Sequence, residues 1–234
     1  MEVGMTSAAT RGGHMLLMGA LWLTGACETT RYTEGFNPQG NITRVVVKID
    51  SGTVELIEGD TLRVERTIRG AEGALKLSHR IEYASEDAEV LSLIAECVSV
   101  LPCSVDTRII VPAGVPVDIE LARGEVWATG IDGLSLELDR GSADLDIRGP
   151  LTAHIGNGSL IATMPAAASA RVAVGHGDIA LQIPPGEWRV DATTAHLVLD
   201  EQIIHSTHAV GELELVAPGG SVTLYSSQAL AEIR

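Results

Sequence analysis

An eight-residue pattern closed by glycine recurs between residues 117 and 199. It reads VDIELARG from 117, LSLELDRG from 134, LTAHIGNG from 151 and ARVAVGHG from 170. A fifth copy, WRVDATTA from 188, carries alanine in place of the glycine. The copies start 17, 17, 19 and 18 residues apart. A repeat of near-constant period constrains a fold strongly, because each unit must bury its apolar face on its neighbours. Inside each copy the apolar period is two. Val117, Ile119 and Leu121 alternate with Asp118 and Glu120; Leu134, Leu136 and Leu138 alternate with Ser135, Glu137 and Asp139. That is the mark of a half-buried strand. A second, shorter alternation follows each glycine: Val126 and Ala128; Ala143, Leu145 and Ile147; Leu160 and Ala162; Ile179, Leu181 and Ile183; Leu197 and Leu199. Each unit therefore holds two strands joined at a bend, and Gly124, Gly141, Gly158 and Gly177 are the bend residues. Glycine there supplies a positive φ or a close backbone approach.

Stacking the units about 4.8 Å apart predicts an all-β fold, a parallel β-solenoid (β-helix) with coils of about 17 residues. Val117, Leu134, Leu151, Ala170 and Trp188 would form one interior row, and Ile119, Leu136, Ala153, Val172 and Val190 the next. An antiparallel sandwich is the competing architecture, but it does not need the same octet to return in register.

The chain before the ladder is less regular. VVVKIDSG from 45 has the octet form, and strands are expected over 53–57, 62–68, 74–83, 90–95 and 106–111. This part reads as N-terminal coils with longer excursions, partly serving as a cap. After the ladder, 212–216 and 221–225 are the last strands, with Gly219-Gly220 between them. The β domain thus spans 41–226, and 227–234 is a short C-terminal tail.

Residues 15–26 (MLLMGALWLTGA) carry no charge and follow Arg11. Twelve residues are too few to span a bilayer and suit the apolar region of a signal peptide. The ending Leu23-Thr24-Gly25-Ala26-Cys27 resembles the bacterial lipoprotein signal. The resemblance implies that 1–26 is removed and that Cys27 is acylated. Cys27 would then hold the chain to a lipid bilayer, each buried CH₂ contributing about 0.8 kcal/mol. Glu28, where an aspartate is absent, is compatible with the outer membrane. Residues 27–40 are polar, contain Gly and Pro, and read as a flexible tether.

With Cys27 set aside, Cys97 and Cys103 remain. An exported domain sits where disulfides form, and the five residues between them include Pro102. A disulfide is the leading reading; a metal-binding pair and two free buried thiols are the others.

The net charge is −15, with lysine only at Lys48 and Lys76. Neutralising phosphates needs clustered basic residues, so nucleic acid is disfavoured as a partner, as are anionic head groups. Aromatic residues make up 3%, so the core must be aliphatic. His154, His176, His196, His205 and His208 do not share a register, which speaks against a stacked metal site. Asp118, Glu120, Glu137, Asp139, Asp144 and Asp146 are spread over successive coils rather than paired across a cleft as polysaccharide cleavage requires. The Gly-Gly-x-Gly-x-Asp repeats of calcium-binding solenoids are missing. Neither a nucleophile elbow nor a phosphate loop is present. No catalytic residue, metal site or cofactor is expected.

The recurrent bends, above all Val174-Gly175-His176-Gly177-Asp178-Ile179 and Gly141-Ser142-Ala143-Asp144-Leu145, resemble the bacterial putative-adhesin β-strand-repeat family, related to the toast-rack solenoid domains. The resemblance covers about 41–226 and brings no catalytic residues. It implies a non-enzymatic, envelope-anchored protein offering its solenoid surface for adhesion or macromolecular binding, with a protein or polysaccharide as partner. A periplasm-facing structural or sensing component that binds an envelope protein is the alternative.

Overall fold

The computed structural model describes residues 30–70, 75–85, 88–98, 103–209 and 211–227. The expected signal peptide, Cys27 and residues 228–234 lie outside them. All regular structure among the described residues is strand. The ladder proper is built from β2 (Ile42–Glu58), β7 (Val117–Ile131), β8 (Leu134–Ile147), β9 (Leu151–Thr163), β10 (Ala170–His176) with β11 (Ile179–Ile183), β12 (Gly186–Leu199) and β14 (Gly211–Ser226). The strands β1 (Thr30–Phe36), β3 (Arg63–Gly70), β4 (Leu75–Ser85), β5 (Ala88–Cys97), β6 (Cys103–Val111) and β13 (Ile203–His205) flank it.

Neighbouring ladder strands pair in parallel and in register. Val45 lies opposite Val117, Val117 opposite Leu134, Leu134 opposite Leu151 and Leu151 opposite Ala170. Beyond the bend, Val54, Val126, Ala143, Leu160 and Ile179 form an equivalent row. Both arms of each strand turn their apolar residues into one continuous core of Val, Ile, Leu and Ala. At the bends Gly52, Gly124, Gly141, Gly158 and Gly177 all have φ between 133° and 152°. From Gly124 to Gly177, a Cβ added to each would overlap the carbonyl oxygen of the glycine one level below, and Gly220 sits on Gly177 in the same way. The bend is therefore a glycine ladder, required by backbone contact between levels as well as by φ.

The two ends differ from the sequence expectation. Trp188 does not follow Ala170 in the interior row. β14 lies between β10 and β12, so the row runs Ala170, Leu213, Val190. The next row runs Val172, Leu215, Ala192. The cause is relative apolarity. Leu213, Leu215, Ala217, Val222 and Leu224 are all fully buried at the doubly covered level, where apolar area gains most. β12 is left as the edge level, with Leu197 and Leu199 exposed rather than inward and covered. Trp188 is nevertheless buried: its indole N–H donates to the Pro184 carbonyl at 2.9 Å, and its ring lies where a side chain at position 211 would be, a space Gly211 leaves open.

At the other end β5 and β6 pair in parallel with the two arms of β2 and form one more level, and only the strands beyond them are antiparallel. β6 continues the sheet on the second arm of β2, β3 pairs antiparallel with β6, and β1 antiparallel with β3. β5 pairs with the first arm of β2, and β4 antiparallel with β5. Residues 30–36, read from sequence as tether, are thus strand β1. The polar sequence hides this because an inward position holds Glu34, which forms a 2.9 Å ion pair with Arg66. Arg66 is 2% exposed. Burial depresses its pKa, and Glu34 opposes that. Its guanidinium lies 5.5 Å over Phe36, whose ring stacks on His79. Cys97 and Cys103 form a disulfide between β5 and β6.

Candidate interaction surface

Outward-facing residues divide the ladder into two walls, one before the bend and one after it. The wall before the bend is charged. Asp118 faces Ser135, Glu120 faces Glu137, and Arg123 faces Arg140. Lys48 reaches Glu120 at 2.6 Å, Arg171 reaches Glu214 at 2.5 Å, and Arg44 pairs with Asp118. These pairs are solvent-exposed, where each is worth roughly 0–1 kcal/mol. Glu120, Glu137 and Asp139 line one open concavity of this wall together with Lys48, Asp50 and Glu96, and Asp118, Asp144 and Asp146, the other acids singled out in the sequence, are not among its lining residues.

The wall after the bend is different. One outward row runs Glu55, Trp127, Asp144, Ile161, Ala180, Thr223, Val198. Trp127, Ile161 and Val198 are 46%, 54% and 54% exposed. In the flanking rows stand Ser142 beside Ser159, and Gln182 beside the exposed Tyr225. Strand spacing of about 4.8 Å places Ile161 two levels, about 10 Å, from Trp127. Beyond β2 the antiparallel strands prolong this wall. Arg108 pairs with Glu55 at 3.4 Å, Arg69 with Asp106 at 2.6 Å, and Thr33 and Thr67 share a 3.2 Å hydrogen bond. These residues and Trp127 line a shallow groove. Trp127 stands between the inward-facing Val126 and Ala128, so the alternation alone turns it outward. Its neighbours across β6, β3 and β1, from Arg108 to Thr33, were not legible in this way, because they come from 19 to 94 residues away.

The histidines stay apart. His154 faces Glu137, His176 faces Asn157 and His196 faces Ser221. The Nδ1 of His205 accepts from the Val190 N–H at 3.3 Å, and His208 lies in the following turn. Among the described residues no three His, Cys, Asp or Glu side chains gather in a metal-holding group. Two acids serve the backbone instead. Asp178 accepts from the N–H and hydroxyl of Ser221 at 2.8 and 2.7 Å, which holds its pKa below the usual carboxylate range. Asp200 accepts from the N–H of Gln202 at 2.9 Å and of Ser226 at 3.3 Å, with the same direction of shift.

No protein-family model matches the chain, and no curated protein matches it. A putative cell adhesion protein from Clostridium sporogenes aligns over 86% of this chain and 100% of its own, at 10% identity and a TM-score of 0.51. Putative adhesins from Bacteroides fragilis and Parabacteroides distasonis align over 84% and 83% of this chain and 97% of theirs. They are 10% identical, with TM-scores of 0.29 and 0.25. At 10% identity the likeness to the Clostridium sporogenes protein is one of fold, and the shared fold is all-β.

Proposed function

We propose that the chain is a non-enzymatic protein of the bacterial cell envelope. In this reading it is anchored through acylated Cys27 in the outer membrane and presents a β-solenoid wall for adhesion or macromolecular binding. One observation carries the reading: the wall holding Trp127, Ile161, Val198 and Tyr225 exposes large apolar side chains among hydroxyls, while the opposite wall is charged. An open wall with a shallow groove of aromatic and hydroxyl side chains suits a polysaccharide or protein better than a small molecule, which needs an enclosing site. The name of the Clostridium sporogenes protein points the same way.

Protease shaving of intact cells tests this. Loss of the full-length band while a periplasmic control survives supports display for adhesion. Survival until the outer membrane is permeabilised, with solubilised protein cleaved under the same conditions, overturns surface display. That result would favour a periplasm-facing component that binds an envelope protein.

A further inference from the structure

The edge strand β12 carries a second, independent surface. Among the described residues β13 covers it at positions 186–188, and the turn after β13 reaches Arg189 and the Val190 N–H through Thr207 and His205, so it is from Asp191 to Leu199 that no strand pairs with its outer side. Its inward residues there continue the core rows without a cover: Ala192 is half-buried, and Leu197 and Leu199 are 45% and 40% exposed. A free edge is a template for strand pairing, and proteins normally guard it with charge. The outer strands at the other end do so: β1 bears Arg31 and Glu34, and β4 bears Lys76, Arg80 and Glu82. By contrast, residues 192–199 (ATTAHLVL) hold no Asp, Glu, Lys or Arg in a chain of net charge −15.

We propose that this edge pairs with the same edge of a second copy, in a two-fold symmetric dimer with β12 antiparallel to its mate. The occupant follows from charge and symmetry. Two copies of net charge −15 repel everywhere except where charge is missing, and an isologous contact presents the same uncharged run twice. The bend fixes the register. Inward residues are even-numbered before it (Val190, Ala192) and odd-numbered after it (Leu197, Leu199). Only a pairing that sets even against odd keeps both inner rows inside. With Thr194 of one copy opposite Ala195 of the other, Ala192 faces Leu197 twice, so the two cores become continuous at the bend. The pairing stops short of Val190, because β13 covers 186–188 and the turn after it reaches Arg189 and Val190 through Thr207 and His205.

Cysteine crosslinking in the full-length chain, read on non-reducing gels against the unsubstituted chain, tests the register. Thr194→Cys and Ala195→Cys, nearest the axis, are expected to give a disulfide-linked dimer as the main species. Val190→Cys, Leu199→Cys and Ser135→Cys on the charged wall should give at least five-fold less. Adding Leu197→Lys to Thr194→Cys should abolish the band. Three outcomes overturn the proposal: no dimer at 194 or 195, a band as strong at 135, or a band that survives Leu197→Lys. If a chain ending at Ser227 crosslinks at 194 where the full chain does not, the C-terminal tail occupies the edge, and the dimer is again excluded.

Discussion

Gly141 rests directly on Gly124: a Cβ on Gly141 would overlap the Gly124 carbonyl oxygen one level down, and Gly158 rests on Gly141 in the same way. Replacement by alanine therefore meets two obstacles, a φ of +146° and a backbone atom that cannot move without shifting the whole level. Gly141→Ala should lower stability by about 3 kcal/mol or more. Gly114 has a φ of +79° and open space around its Cβ position, so Gly114→Ala should cost only about 1 kcal/mol. Urea unfolding of the two variants separates backbone overlap from φ strain. Equal losses would remove the stacking argument.

The inserted position of β14 makes a contrast between two facing residues. Leu213 is fully buried between Ala170 and Val190, while Val190 lies at the edge level. Leu213→Ala should cost about 2–5 kcal/mol, as for other buried leucines, and Val190→Ala less than about 1.5 kcal/mol. If the octet from 188 stacked directly on the octet from 170, the ranking would reverse. Chemical denaturation of both variants decides the order of the last strands without further structural work.

Rows and bends were legible in the sequence because both are written locally. Val117, Leu134 and Leu151 stand at a fixed period, and each glycine closes its own octet. The order of the last levels was not, since it depends on which of two distant segments, 188–199 or 211–226, buries the better apolar arm. The alternation inside each segment cannot rank them, although Gly219-Gly220 and the ELEL run were the available signal. β1 was hidden for another reason: Glu34 faces inward, and it is tolerable there only because Arg66, 32 residues later, meets it. The outward wall with Trp127 was half legible. Exposure of an aromatic follows from the alternation, but its neighbours follow only from strand order.

The Cys97–Cys103 disulfide closes a short loop where β5 and β6 part from the two arms of β2. The Cys97 N–H also donates to Asp50 at 2.7 Å, which fixes that end of the loop independently. The chain-entropy argument gives about 2 kcal/mol for a loop of this length. Cys97→Ser combined with Cys103→Ser should therefore reduce stability by about that amount and leave the strand signal in circular dichroism unchanged. Loss of the folded signal altogether would mean that the disulfide holds the N-terminal strands in place, not merely the loop.

Asp178 links the bend between β10 and β11 to Ser221 on β14 by two hydrogen bonds to its Oδ1, which the ionised carboxylate accepts more strongly than the neutral acid. Those bonds place its folded pKa below the unfolded value, which is about 3.9 for a free aspartate. The sign follows from linkage: the unfolded chain binds the proton at higher pH than the folded one, so stability rises with pH across that interval. The contribution is complete above the unfolded pKa and is lost as pH falls through the folded one. Asp200 shifts in the same direction through Gln202 and Ser226 and adds to the same acid limb. Melting temperatures of the parent and of Asp178→Asn, measured from pH 7 down to about 2, should differ at neutral pH and converge below about pH 4. A difference that stays constant over that range would show that the side chain acts through shape alone and that its charge does not hold β14 against the bend.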